Sequence, residues 1–323
     1  MSNDSNVVDM KRGGDSSRAN VRERVAWFNG ELLPESQVRV SFRDRGFKFG
    51  DAVFDMARTF GGRPFKLCEH VERLYKSLAY VRIDPGISLD EMLTVSARVI
   101  EANMPLLPEG NDYWVGQRVS RGVDTPAGET PIQAGPTVIV ECTPLPLAAR
   151  AKNFRDGIDV VVPSVRRTPP EVLSPRAKSH NYLNMIIGDL EVRAHRPDAW
   201  AVLCDTNGNL AEGLGSNIFL VIDGAIHTPR EDFVLPGVSR ATAIELAREL
   251  GIPVHERDCS LYDASVAEEA FLTSTSLCIC PVHTVNGAPM RDRGVPGPVT
   301  RRLMDAYKAL VEFDYVAQYL RHA

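Results

Sequence analysis

Several short stretches carry side chains that could do chemistry. In "EDFVLPGVSRATAIELAREL" the turn Pro236-Gly237 is followed by Val238 and Ser239 at the start of a helical pattern. Free backbone N–H groups at a helix start, joined by a hydroxyl, suit a phosphate, although serine is also a common helix cap. "FLTSTS" supplies a second hydroxyl cluster, Thr273 to Ser276, where threonine also serves simply as a β former. Glu212 stands before a Gly-x-Gly turn and an apolar strand in "AEGLGSNIFLV". It is either an ordinary turn carboxylate or one set beside a buried strand, where it can hold a proton on a ring nitrogen. Arg73 falls between Val71 and Leu74 on the apolar side of its segment. There it can snorkel to water or offer its fork to a phosphate. Lys178, in "RAKSHNYLN", directly precedes a run of Ser, His, Asn, Tyr and Leu, whereas most lysines sit in water on a helix surface.

The elements that must position these groups are legible from periodicity and turn residues. "VAWFNGELLPESQVRVSF" predicts two short strands about Asn29-Gly30, and "AVFDMARTFGGRPFKL" a hairpin about Gly61-Gly62. Val71, Leu74, Leu78 and Val81 recur every three or four residues and predict an amphipathic helix; a second is expected over Leu89 to Ala102. "DYWVGQRVSRG" and "GPTVIVECTPL" read as strands joined by the loop Asp124 to Pro136. In the second half a strand "GIDVVVPSV" precedes a helix after Lys178. A strand meander spans "AWAVLCDTNGNLAEGLGSNIFLVIDGAIHTP", then comes a helix stopped by Gly251, a single apolar strand "EEAFLTSTSLCICPV" and a C-terminal helix. The expected class is α+β (mixed α/β) in two domains. A disordered tail is expected over residues 1–24, a small α/β domain over 25–143, a Pro-, Ala- and basic-rich linker over 144–156, and a large second domain over 157–323. The cleft between them is the natural place for a cofactor.

Composition narrows the classes. With 323 residues, 44% hydrophobic and 24% charged, the chain can build two ordinary cores. Its net charge of −5, without a basic run, gives no reason to expect nucleic acid or an anionic membrane. No apolar stretch approaches the roughly 20 residues that span a bilayer, and the polar N-terminus does not read as a secretory signal. The six cysteines lack paired spacing, as expected of reduced thiols in a cytoplasmic protein. "CICPVH" lacks a second ligand pair, so it is expected to be buried strand, with no metal site.

In this order and spacing, Arg73, Lys178, Tyr182, Glu212, "LPGVSR" and "TST" resemble the class IV aminotransferases. That is the pyridoxal-phosphate family of branched-chain, D-amino acid and (R)-amine transaminases. "DRGFKFGDAVFDMARTFGGRPFKLCEHVERL" is similar to its N-terminal region, and the resemblance runs from about Val25 to the C-terminal helix. It implies that Lys178 forms the Schiff base with pyridoxal 5′-phosphate and, once freed, carries the proton shift of the reaction. It implies that Tyr182 hydrogen-bonds the cofactor's phenolic oxygen and that Glu212 keeps the ring nitrogen protonated, which makes the ring a better electron sink. Leu235 would pack on the ring. Arg73, the Val238 and Ser239 backbone with the Ser239 hydroxyl, and Thr275 would hold the phosphate. A homodimer is implied too, with each site capped by a loop of the other subunit.

Substrate class stays open between subfamilies. Branched-chain enzymes carry Tyr-x-Arg where this chain has Tyr113-Trp114-Val115, and the Arg-x-His pair of D-amino acid enzymes is absent after Ser120 to Gly122. Losing both carboxylate traps favours an (R)-amine or apolar amino donor with a 2-oxo acid such as pyruvate as acceptor. The pocket expected for it is Phe49, Phe54, Met56, Arg58, Trp114 and Val115, with Arg118 or Arg121 as a carboxylate contact. The alternative is a branched-chain or D-amino acid aminotransferase, and a lyase of the aminodeoxychorismate kind follows.

Overall fold

The computed structural model describes residues 23–131, 133–292 and 294–323. The tail expected over residues 1–24 therefore lies, through residue 22, outside the described residues. The first half forms a six-stranded antiparallel sheet, in the order β2-β1-β6-β5-β3-β4. Its strands are β1 (Val25–Phe28), β2 (Glu31–Pro34), β3 (Ala52–Phe60), β4 (Arg63–Phe65), β5 (Tyr113–Ser120) and β6 (Thr137–Pro144). The β1–β2 turn needs positive φ at both central residues, and Asn29 and Gly30 supply φ of 45° and 108°. A short helix α1 (Arg45–Phe49) precedes β3, and α2 (Leu67–Val81) and α3 (Leu89–Asn103) cover one face of the sheet. Ser88 and Glu91 cap α3 reciprocally. Val71, Leu74 and Leu78 of α2 meet Met92, Val95 and Val99 of α3 over Val53, Ala57, Val115 and Val119.

The second half is built round a nine-stranded sheet. Its strands are β7 (Ile158–Val161), β8 (Trp200–Cys204), β9 (Leu210–Gly213), β10 (Ser216–Ile222), β11 (Ala225–Thr228), β12 (Val254–Glu256), β13 (Glu269–Ser274), β14 (Cys278–Val285) and β15 (Ala288–Pro289). Because β9 also pairs with β10, the run β10-β13-β14-β7-β8-β9 closes into a ring. Around it lie α4 (Leu147–Asp156), α5 (Leu183–His195), α6 (Val238–Glu249), α7 (Leu261–Val266), α8 (Pro298–Val311) and α9 (Tyr315–Leu320). Its core includes Ile218, Phe219, Leu220, Phe271, Leu272, Ile279 and Leu303.

Two expectations change. The connection 144–156 is mostly the helix α4, because Leu147, Ala151 and Phe154 recur at helical spacing and bury one face. "EEAFLTSTSLCICPV" is not one strand but the hairpin β13–β14, turning at Thr275 to Leu277 with Cys278 at φ 58°. The turn puts Thr275 and Ser276 at a sheet end facing the first sheet.

Candidate active site

Lys178 lies in the segment that leads into α5, and that segment is laid against β3. The Phe54 N–H donates to the Lys178 carbonyl and the His180 N–H to the Ala52 carbonyl, each at 2.9 Å. The Lys178 N–H donates to the Ser77 hydroxyl of α2 at 3.0 Å. With its backbone fixed from three sides, the side chain enters the space between the two sheets. Its Nζ donates to the Tyr182 hydroxyl at 2.9 Å and lies 4.5 Å from the centre of the Phe54 ring. Next to it His180, packed edge-on against Phe54, is pushed down to about 4 by burial, aided by Arg118 and Lys178, and is neutral.

A single cavity runs past Lys178 and is lined by all eight residues expected to hold a cofactor: Arg73, Lys178, Tyr182, Glu212, Leu235, Val238, Ser239 and Thr275. At one end Glu212, on β9, is buried. Its carboxylate accepts from Arg167 Nε and from the Leu235 N–H, each at 2.9 Å. Burial pushes the Glu212 carboxyl up; Arg167 and the Leu235 N–H oppose that only in part.

At the other end α6 begins at Val238, and no side chain caps its first N–H groups. Arg73 reaches this end from α2. Its Nε and Nη2 grip the two Asp55 oxygens at 2.8 Å, while Nη1 donates to the Pro236 carbonyl at 3.0 Å. Burial alone would raise the Asp55 carboxyl, but Arg73 and His70 hold it well below the usual range. The Thr275 hydroxyl donates to the Met56 carbonyl at 3.0 Å, so what this residue offers a phosphate is its backbone N–H rather than its hydroxyl proton.

The substrate side differs more from expectation. Phe54, Met56 and Trp114 line a second cavity that shares Lys178, Tyr182 and Thr275 with the first. Residues of β3 and β5 alternate between faces, and the register pairs Phe54 with Arg118 and Met56 with Gly116 on the cleft face. Val115 pairs with Ala57 instead and is wholly buried in the α2–α3 core. It is therefore not a substrate-pocket residue, and an arginine there would not reach the cleft. Arg58 is buried behind the pocket wall, donating to the carbonyls of Thr59 and Ser276 and to Gln318. Arg121 is committed to both Asp51 oxygens and to the carbonyls of Val81 and Arg82, away from the cleft. Phe49 is exposed on α1 with Arg45 and Lys48 near its ring. Only Arg118 of the two arginine candidates stays close, 5.4 Å from the Phe54 ring, and it pairs with Glu141 at 3.2 Å.

The family described as Amino-transferase class IV matches residues 52–285 of the chain. The chain belongs to the class IV aminotransferases. The aminotransferase is 34% identical over 284 residues to a putative branched-chain-amino-acid aminotransferase of Methanocaldococcus jannaschii, covering 87% of this chain and 94% of that one. Its fold matches the crystal structure of the Escherichia coli branched-chain amino acid aminotransferase with a TM-score of 0.80 at 30% identity, over 90% of this chain and 95% of that chain. A branched-chain aminotransferase from Thermobaculum terrenum, solved in its PLP form, matches with a TM-score of 0.77 at 27% identity, over 93% and 97%. Among the described residues of the aminotransferase no helix is long and apolar enough to cross a membrane.

Sequence reasoning missed three residues that hold side chains of the candidate site in place: Asp55, His70 and Arg167. Asp55 left a signal, since it is the one acid inside the apolar run "AVFDMARTF". Arg167 left none, because its partner is 45 positions away.

Proposed function

We propose that this aminotransferase uses pyridoxal 5′-phosphate to move an amino group between a branched-chain amino acid and a 2-oxo acid. The observation that carries the reading is one cavity with an amine at its side, an arginine-paired carboxylate at one end and phosphate donors at the other. The donor set fits the cofactor. Arg73 and the uncapped start of α6 supply positive ends for a phosphate. Glu212 supplies a carboxyl group to pair with the ring nitrogen. The buried hydroxyls of Ser216 and Thr273, both in the cavity wall, have no partner among the described residues.

When bound, pyridoxal phosphate supplies an aldehyde that takes up the amino group and a ring that accepts the electron pair left at the substrate carbon. Lys178 would be its point of attachment; freed, its amine would take the proton from the substrate's α-carbon and return it at the cofactor's aldehyde-derived carbon, across the intervening nitrogen. The Tyr182 hydroxyl accepts from Lys178 Nζ and keeps its own proton for the cofactor's phenolic oxygen. Arg167 works against the upward push of burial on the Glu212 carboxyl, and Asp55 aims the Arg73 fork. Leu235 packs on the ring, and Val238, Ser239 and the Thr275 backbone bind the phosphate.

The reading of a branched-chain donor is supported by the names of the relatives and by the apolar wall of Phe54, Met56 and Trp114. The (R)-amine reading with pyruvate rested on two missing carboxylate traps, the arginine replaced by Val115 and the Arg-x-His pair after Gly122. The first of these no longer supports it, because Val115 faces the core. A homodimer is supported by apolar side chains left exposed on α1 and α5, among them Phe47, Phe49, Leu183, Ile187 and Leu190. The test is the visible spectrum of the protein loaded with pyridoxal phosphate, followed separately with L-leucine, D-alanine and (R)-1-phenylethylamine. A yellow band that L-leucine bleaches fastest, and that 4-methyl-2-oxopentanoate restores, is the expected result. A band that answers only the aryl amine or D-alanine overturns the substrate reading, and no band at all overturns the cofactor reading.

A further inference from the structure

The substrate-side cavity contains one cation that neither the sequence nor the family pattern singles out. Arg150, on α4, enters it from the connection between the two halves. Its guanidinium carbon lies 5.1 Å from the Trp114 ring centre and 5.5 Å from that of Trp200. Nη1 donates to the Ser276 hydroxyl, on the turn next to Thr275. Every other charged side chain around this cavity except Lys178 is matched. Lys152 pairs with Asp198 and Arg193 with Asp189, each at 2.7 Å. At the cleft's other rim Arg118 has Glu141, and Arg121, away from the cleft, has Asp51. Arg150 has no carboxylate partner among the described residues. Burial, with Arg58 adding repulsion, works against its charge.

A half-buried guanidinium held by aromatic rings and one hydroxyl is under-compensated. Its two neighbouring indoles fix the plane of the fork. The cavity it enters also touches Lys178 and Tyr182, so an anion bound to it would belong to a molecule reacting at Lys178. The cofactor's phosphate is provided for elsewhere, at Arg73 and α6. The anion every 2-oxo acid substrate must bring is a carboxylate.

We propose that Arg150 is the carboxylate receptor of the substrate cleft, a role the sequence reading gave to Arg118 or Arg121. The inference rests on the aminotransferase reading above. The carboxylate has two possible sources: the one next to the reacting carbon, or the distal one of a dicarboxylic substrate such as 2-oxoglutarate. Trp114 and Trp200 keep water from the pair, and Ser276 shares the load by donating its own proton to the second oxygen.

The test compares Arg150→Met, which keeps the stem without the charge, and Arg150→Lys, which keeps the charge without the fork. KM and kcat are measured for 4-methyl-2-oxopentanoate and for 2-oxoglutarate with L-leucine as donor, after confirming that each variant retains one cofactor per chain. Arg150→Met is expected to raise KM by about 10- to 100-fold, the size of one lost charged hydrogen bond, with kcat within a few-fold of wild type. Arg150→Lys should recover part of the loss. A rise for both acids identifies the carboxylate beside the reacting carbon; a rise for 2-oxoglutarate alone identifies the distal one. Unchanged KM for both acids in an active Arg150→Met enzyme overturns the proposal. So does an equal loss of kcat with both acids at unchanged KM, which is the mark of a merely structural arginine. A wild-type protein that transaminates neither acid fails the parent reading instead, and that arm is run first.

Discussion

Gly237 tests whether the start of α6 holds the phosphate. Its φ is −66°, which any residue adopts, so the constraint there is purely one of space. A Cβ at this position would lie 2.3 Å from Asn217 Oδ1 and 3.2 Å from the Arg240 Cβ. To restore ordinary contact, one side of that pair must retreat by about 1 Å. Asn217 is held on β10 opposite Glu212 and Thr273, and its side chain donates to the Leu235 carbonyl at 3.0 Å. The helix start is the freer partner and gives way. A shift of about 1 Å stretches an N–H to phosphate hydrogen bond beyond useful length. Losing one such charged bond costs about 1.5–3 kcal/mol, so Gly237→Ala should weaken pyridoxal phosphate binding by about 10- to 100-fold. Equilibrium titration of the apoenzyme, followed by absorbance, measures this directly. Melting of the apoenzyme should change far less than melting of the holoenzyme. A variant that binds the cofactor as tightly as wild type would refute the reasoning that α6 anchors it.

Three further outcomes are expected. Lys178→Ala should leave a folded protein that turns over no substrate, and multiple-turnover activity in the purified variant would remove the lysine from the mechanism. Arg167→Met should push the Glu212 carboxyl further up, moving the acid limb of the kcat/KM profile to higher pH. Because burial raises this group above its unfolded value, its protonated form is favoured on folding. The variant should therefore match wild-type stability best at acid pH and fall behind as pH rises past the unfolded carboxyl range; thermal melts at pH 5 and pH 8 check the sign. Val115→Arg should cost several kcal/mol by burying an unpaired charge in the α2–α3 core. A soluble Val115→Arg enzyme of normal stability, with altered substrate preference, would contradict the placement of Val115.

What the sequence disclosed and what it withheld have separate physical causes. Lys178, Glu212 and the turn before α6 are each tied to a local feature: an unusual neighbour set, a Gly-x-Gly turn, a helix start. Such features are written in a few consecutive residues, and the cavity they share followed from them. The substrate side is assembled from strand faces, and a face is decided by register. Counting along "YWV" without knowing which residues point inward put Val115 in the pocket, whereas pairing with Ala57 turns it to the core. Arg58 and Arg121 look alike in sequence to Arg118, but their fates depend on Gln318 and Asp51, partners 260 and 70 positions away. Arg150 was concealed in a stretch that read as linker because prolines, alanines and basic residues dominate its composition.

The segment around Lys178 has a mechanical consequence. Although the lysine belongs to the second half of the chain, its main chain is stitched to the first half through Ala52, Phe54 and Ser77. Prising the two sheets apart would break those links and carry the Lys178 amine out of register with Glu212. Breathing by the halves as rigid bodies and turnover are thus mutually exclusive in time. Substrate exchange has to rely on local movement at the rim, and the amides of Phe54 and His180 should exchange with solvent only when the two halves separate or the molecule unfolds.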